Sequence, residues 1–104
     1  MFKIMDTAEV IRSKNSGPYE LTFDIIFKEK EHFEAFVQAN AMTPAVFAKL
    51  YGIKESDVKS VIAFAPAKAV KITIIRPMSS GALGEKDIYG AQQHGLLMGF
   101  EYSL

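Results

Sequence analysis

Apolar and polar positions alternate almost strictly over residues 19–27, the clearest pattern in the chain. The apolar positions are Tyr19, Leu21, Phe23, Ile25 and Phe27. A spacing of two predicts a β-strand with one buried face. A shorter strand is predicted before it, over residues 8–13, and residues 14–18 between them have the composition of a turn.

Two helices are predicted next, because the apolar spacing changes to three and four. The first covers residues 29–40. Its apolar stripe consists of Phe33, Phe36 and Val37. The second begins at Thr43, an N-cap followed by proline at the first helical position, and ends at Gly52.

The second half of the chain predicts further strands. Residues 58–64 are apolar on both faces, which is typical of a central strand. A tight connection at residues 66–68 leads into the alternating residues 70–76, so the two strands are expected to form a hairpin. Residues 78–86 are a Ser/Gly loop, followed by a short helix over residues 89–97 and a final strand. The fold class is therefore α+β: about five strands in a mostly antiparallel sheet, with two main helices on one face of a single domain spanning residues 1–104.

Two expectations about packing follow from these elements. The core is predicted to contain Phe23, Phe33, Phe36, Phe47 and Ile62. An association surface is predicted around Ile26, Val61, Ala63 and Ile75, because two helices leave part of such a sheet uncovered.

Composition limits the function. The chain of 104 residues contains no cysteine, which excludes thiolate chemistry and disulfides, and no stretch approaches the roughly 20 apolar residues of a membrane span. Twelve basic residues balance twelve acidic ones, so nucleic-acid binding is not expected. We expect a cytoplasmic protein without a membrane partner.

The first polar segment of interest is residues 12–18. Arg12, Ser13, Lys14 and Asn15 supply two cations, a hydroxyl and an amide that can bind a carboxylate or phosphate. The alternative is a polar hairpin loop whose Asn and Gly serve turn geometry, and the pattern favours that loop.

The second segment is residues 89–95. It combines Tyr89, Gln92, Gln93 and His94 between glycines, and His94 is the candidate for proton transfer because imidazole titrates near neutrality. The alternative is a solvated helix face. If both segments meet in one cleft, they form one anion site.

The remaining polar residues give weaker indications of a functional site. His32 is expected to be a solvated helix residue, and Asp24 a buried acid that pairs structurally with Arg12 or Arg76. No metal site, dinucleotide fingerprint or phosphate loop is present, so no cofactor is expected.

A family resemblance runs through most of the chain. The matching segments are residues 10–18, 21–27, 50–52, 76–77 and 87–94. They resemble the small domain of unknown function associated with acyclic-terpene-utilisation A-like proteins. The chain departs from that family at Ser16, where the family commonly has alanine, and in its extended C-terminal end. The resemblance implies a domain encoded beside, or fused to, a much larger protein that handles branched acids or their acyl-CoA esters.

Three functions remain open at this point. The first is a small accessory subunit of a hetero-oligomeric enzyme that handles a carboxylic acid or acyl-CoA. The second is a stand-alone hydratase, lyase or isomerase, in which Arg12 and Lys14 bind an acid and His94 moves a proton. The third is a homo-oligomeric ligand-binding module.

Overall fold

The fold is α+β, as the sequence predicts. A computed structural model describes residues 2–17, 19–75 and 95–102. The strands are β1 (Phe2–Lys3), β2 (Ala8–Gly17), β3 (Glu20–Phe27), β4 (Val58–Phe64), β5 (Ala69–Ile75) and β6 (Glu101–Tyr102). The helices are α1 (Ile4–Thr7), α2 (Lys30–Gln38), α3 (Pro44–Tyr51) and α4 (Gly95–Met98), with 3-10 turns at Glu55–Asp57 and Ala65–Ala67.

The main sheet has four strands in the order β2-β3-β5-β4, and every neighbouring pair is antiparallel. Strands β1 and β6 form a separate two-stranded ladder. The predicted hairpin is confirmed: β4 and β5 are joined by the 3-10 turn, after which Lys68 takes a left-handed conformation at φ 53°. The final strand pairs with β1 rather than with the main sheet, so the main sheet holds four of the described strands.

The core lies between the sheet and the two main helices. On β3 the inward positions are fully or nearly fully buried. The ring of Phe23 lies 5.0 Å from that of Phe47 on α3, and the ring of Phe27 lies 4.9 Å from that of Phe36 on α2, both measured between centroids. Burying each aromatic side chain contributes about 1.5–3 kcal/mol, which is why these helices pack on this face.

The predicted limits of helix α3 are confirmed by its caps. Thr43 Oγ1 accepts a hydrogen bond from the Val46 backbone N–H at 3.2 Å, which satisfies one of the unpaired donors of the first turn. Gly52 ends the helix at φ 66°, a conformation that other residues adopt only with strain.

Four of the five predicted core residues are buried. The prediction for the fifth, Ile62, is wrong, because its side chain is 55% exposed. The cause is a register shift between Val58 and Ser60, where β4 bulges against β5. One extra residue reverses which side chains share a face, so Val61 and Ala63 lie on the face of Val58, while Ile62 lies on the opposite one. Among the described strands, β4 is also an edge strand rather than a central one.

Two further predictions, for residues 14–17 and for His32, are wrong, while that of an association surface stays open. Residues 14–17 are not a loop, because β2 continues to Gly17 and Lys14 and Asn15 pair with β3. The four residues of the predicted association surface lie on both faces of the sheet: Val61 and Ala63 share a face with Ile72 and Val70, whereas Ile26 and Ile75 lie on the opposite face, and their role in association stays a prediction. His32 is half-buried rather than solvated. The loop at residues 78–86 and residues 89–94 of the predicted helix lie outside the described residues.

Candidate functional site

The face of the main sheet opposite α2 and α3, here called the open face, carries side chains in three rows that run across all four strands. The apolar row is Val10, Ile26, Ala69 and Phe64; the charged row is Arg12, Asp24, Lys71 and Ile62; the hydroxyl row is Lys14, Thr22, Thr73 and Ser60. Residues paired across antiparallel strands point to the same side, so the register alone defines these rows.

A groove with a volume of about 410 Å³ lies on the open face. One part is lined by Arg12, Lys14, Asp24 and Lys71, and the other by apolar residues that include Ile26, Ile62 and Phe64. Charged and apolar linings therefore lie side by side in one groove. A ligand that matches both has a charged head and a hydrocarbon chain.

The charged part of the groove is positive. Arg12 Nε lies 3.1 Å from Asp24 Oδ2, and the side chain of Asp24 is 7% exposed, against 56% for Arg12. Among residues 2–17, 19–75 and 95–102, neither Lys14 nor Lys71 forms an ion pair. Three cations against one carboxylate leave a surplus of two positive charges in the groove.

The spacing of the cations suits an anionic group. Arg12 and Lys14 are two residues apart on β2, about 7 Å, and Lys71 is two strands from Arg12, about 10 Å. Nε of the Arg12 guanidinium donates a hydrogen bond to Asp24. The two terminal nitrogens of Arg12 form no hydrogen bond with any other described residue. Flexible lysine side chains can close these distances on a carboxylate or phosphate.

The residues predicted from the sequence separate in space. Arg12 and Lys14 lie on the open face and line the groove. Ser13 and Asn15 alternate to the opposite face, where Ser13 is paired with Phe23 and buried. The segment therefore does not bring all four side chains to one ligand.

The second polar segment, with Tyr89, Gln92, Gln93 and His94, lies outside the described residues, so its meeting with Arg12 stays a prediction. Lys71 was not among the site residues predicted from the sequence. Its position in an alternating strand was visible, but its place beside Asp24 depends on the register between β3 and β5.

Two titratable residues on the helix side stand apart from the groove. Burial raises the pKa of the Tyr51 phenol well above its ordinary value, and a hydrogen bond with the backbone of Leu97 opposes that rise in part. His32 Nδ1 is buried and has no hydrogen-bond partner among the described residues. Within the same part of the chain, no group of three or more acidic or histidine side chains is placed to hold a metal ion.

A match to a known protein family covers nearly the whole chain. A family model described as Domain of unknown function (DUF4387) matches residues 4–101. The chain belongs to this family. All three rows of the open face fall inside the matched range, so the groove is built from residues of the family's domain.

No curated protein and no solved structure matches the chain. None of the helices in the described ranges is long and apolar enough to cross a membrane.

Proposed function

We propose that this chain is a small accessory subunit of a hetero-oligomeric metabolic enzyme, and that its open-face groove holds the carboxylic acid or acyl-CoA on which that enzyme acts. The observation that carries the proposal is the groove itself, where Arg12, Lys14 and Lys71 outnumber the single carboxylate of Asp24 beside an apolar lining. The cations hold the carboxylate, or the phosphates of the acyl-CoA, and the apolar row covers the hydrocarbon chain.

The subunit role has separate support. The resemblance to domains found beside or fused to acyclic-terpene-utilisation A-like proteins implies a larger partner. The chain also exposes large apolar side chains along the sheet, with Ile62 at 55%, Phe64 at 57% and Ile75 at 44%. Its formal net charge of zero produces little repulsion between subunits.

Binding is tested by calorimetry of the whole chain with octanoate, octanol, acetate and free coenzyme A. Octanoate is expected to bind, octanol to lose the head-group contacts, and acetate to lose the chain contacts. Binding of coenzyme A in place of octanoate assigns the cations to phosphate. Arg12→Gln and Lys71→Gln are each expected to weaken binding about ten- to a hundredfold, the value of one charge-assisted hydrogen bond.

The matched control is Lys59→Gln, which removes one positive charge at a lysine bound to Glu20 rather than to the groove. Equal octanoate affinity in Arg12→Gln, Lys71→Gln and the unchanged chain contradicts the site. Failure of all four compounds to bind contradicts it as well.

The subunit role is tested by reconstitution. The tagged chain is purified from its host together with any larger enzyme bound to it, and the chain is then removed and added back. Loss of the enzyme's activity and its recovery support the role. If the enzyme's activity is the same with and without the chain, the subunit role is contradicted.

The homo-oligomeric binding module remains the second candidate, and the exposed edge of the sheet at β4 favours it. In that case the same groove binds its ligand without a larger enzyme. Octanoate binding by the chain alone, with no stoichiometric larger partner after purification, is the outcome that selects this candidate.

A further inference from the structure

We propose that two copies of this chain pair along their β4 strands, antiparallel and about a two-fold axis at Ile62, to form one continuous eight-stranded sheet. This dimer is independent of the ligand proposed above. It rests on the two edges of the main sheet, which differ sharply in how they are protected.

The β2 edge is protected against pairing. It carries Glu9, Arg12 and Lys14, and its register with β3 shifts near both ends. Charges and bulges on an edge strand are the usual means by which a sheet avoids pairing with another chain. If two copies paired antiparallel along β2 about Ser13, Arg12 of each copy would lie opposite Lys14 of the other, and the like charges would repel.

The β4 edge also shifts register, between Val58 and Ser60, but residues 60–64 beyond the shift read Ser-Val-Ile-Ala-Phe and contain no charge and no proline. Within residues 2–17, 19–75 and 95–102, its backbone is paired on one side only, with β5. Apolar side chains occupy both of its faces, since Ile62 and Phe64 are more than half exposed on the open face and Ala63 is exposed on the helix face. An uncharged, two-sided apolar edge is a template for another strand.

The partner is a second copy because this segment complements itself. With the axis at Ile62, Ile62 faces its own copy, Val61 faces Ala63, and Ser60 faces Phe64. Opposite residues then share a face, so the apolar positions of both sheets stay in line. The nearest charge on the strand, Lys59, is three residues from the axis, so the two copies of Lys59 lie about 20 Å apart along the strand direction.

Both faces of the sheet gain apolar contact in this arrangement. On the helix face, Val61 and Ala63 line a crevice of about 130 Å³ with Phe36 and Met42, and the second copy places the same two residues beside it. On the open face, the charged row of one copy runs through Ile62 into that of the other. The two grooves then open toward a common axis.

Oligomeric state is measured by light scattering on the whole chain. The expected mass is twice the 11.5 kDa of one copy. Ile62→Lys is expected to shift the mass to that of one copy, because two ammonium groups then meet at the axis. The matched control is Val10→Lys, which also changes an exposed apolar residue on the open face but lies on β2, and it is expected to remain a dimer.

Mixing Ile62→Lys with Ile62→Glu tests the register directly. Residue 62 of one copy lies opposite residue 62 of the other in the proposed dimer. The opposite charges of the two variants are therefore expected to restore a dimer that neither variant forms alone. Circular dichroism checks that each variant is folded; if Ile62→Lys is not, Ile62→Cys replaces it, because a chain without cysteine then cross-links through position 62 alone. Ser60→Cys is the control that does not cross-link. A monomeric unchanged chain, larger assemblies, or a dimer that ignores the charges at position 62 overturns the proposal.

Discussion

Arg12 and Asp24 are joined across β2 and β3 by an ion pair in which only the acid is buried, with Nε 3.1 Å from Oδ2. A carboxylate removed from water is stabilised by nearby cations, and Lys71 is its cross-strand neighbour on the other side. The acid forms an ion pair with Arg12 and adds a negative charge beside Lys71. It also lowers their attraction for any other anion.

Replacing Asp24 by Asn therefore tests the electrostatics of the groove in the favourable direction. The surplus rises by one positive charge, and octanoate binding is expected to strengthen about three- to tenfold, the effect of one partly screened charge at this range. Asp57→Asn, on the 3-10 turn before β4, changes the net charge equally but does not line the groove. Calorimetry giving equal affinities for both variants contradicts the assignment.

Phe23→Ala tests the core. The side chain of Phe23 is fully buried, and its ring lies 5.2 Å from that of Tyr51 as well as against Phe47. The free energy of unfolding is expected to fall by about 3–5 kcal/mol, measured by urea denaturation. Tyr19→Ala, at a residue that is 55% exposed, is the control and is expected to cost far less. Similar losses in the two variants refute the placement of Phe23.

Thr43→Ala tests the start of α3. Without the hydroxyl, the Val46 backbone N–H loses its acceptor, and the free energy of unfolding is expected to fall by about 0.5–2 kcal/mol. Thr43→Ser keeps the acceptor and is expected to retain most of that stability. If Ser and Ala are equally destabilising, the cap hydrogen bond is not what Thr43 contributes.

The alkaline behaviour of the fold should depend on Tyr51. Its pKa is raised in the folded chain relative to the value of about 10 in an unfolded one, so its contribution is complete below pH ~10 and is lost as the pH rises further. Unfolding midpoints above pH ~10 are expected to fall less steeply in Tyr51→Phe than in the unchanged chain. Tyr19→Phe, at an exposed phenol, is the control. Identical slopes in all three proteins contradict the role of Tyr51.

Local patterns were sufficient for the parts of the fold that local chemistry decides. The inward face of β3 follows from alternation, and the limits of α3 follow from Thr43 and Gly52. The facing of Ile62 was missed because a bulge exists only in relation to a partner strand, and sequence spacing does not reveal it. Lys71 was missed for a related reason: a cross-strand register joins residues that are distant along the chain.

The proposed binding of an acid on the open face is tested most directly by mapping amide chemical shifts of the whole chain during an octanoate titration, with octanol as the control. We predict saturable shifts at Arg12, Asp24 and Lys71, and at Ile26 and Phe64 beside them, that octanol does not reproduce. Shifts concentrated instead around the helix-face crevice at Phe36 and Met42, or equal shifts with octanol, contradict the open-face site.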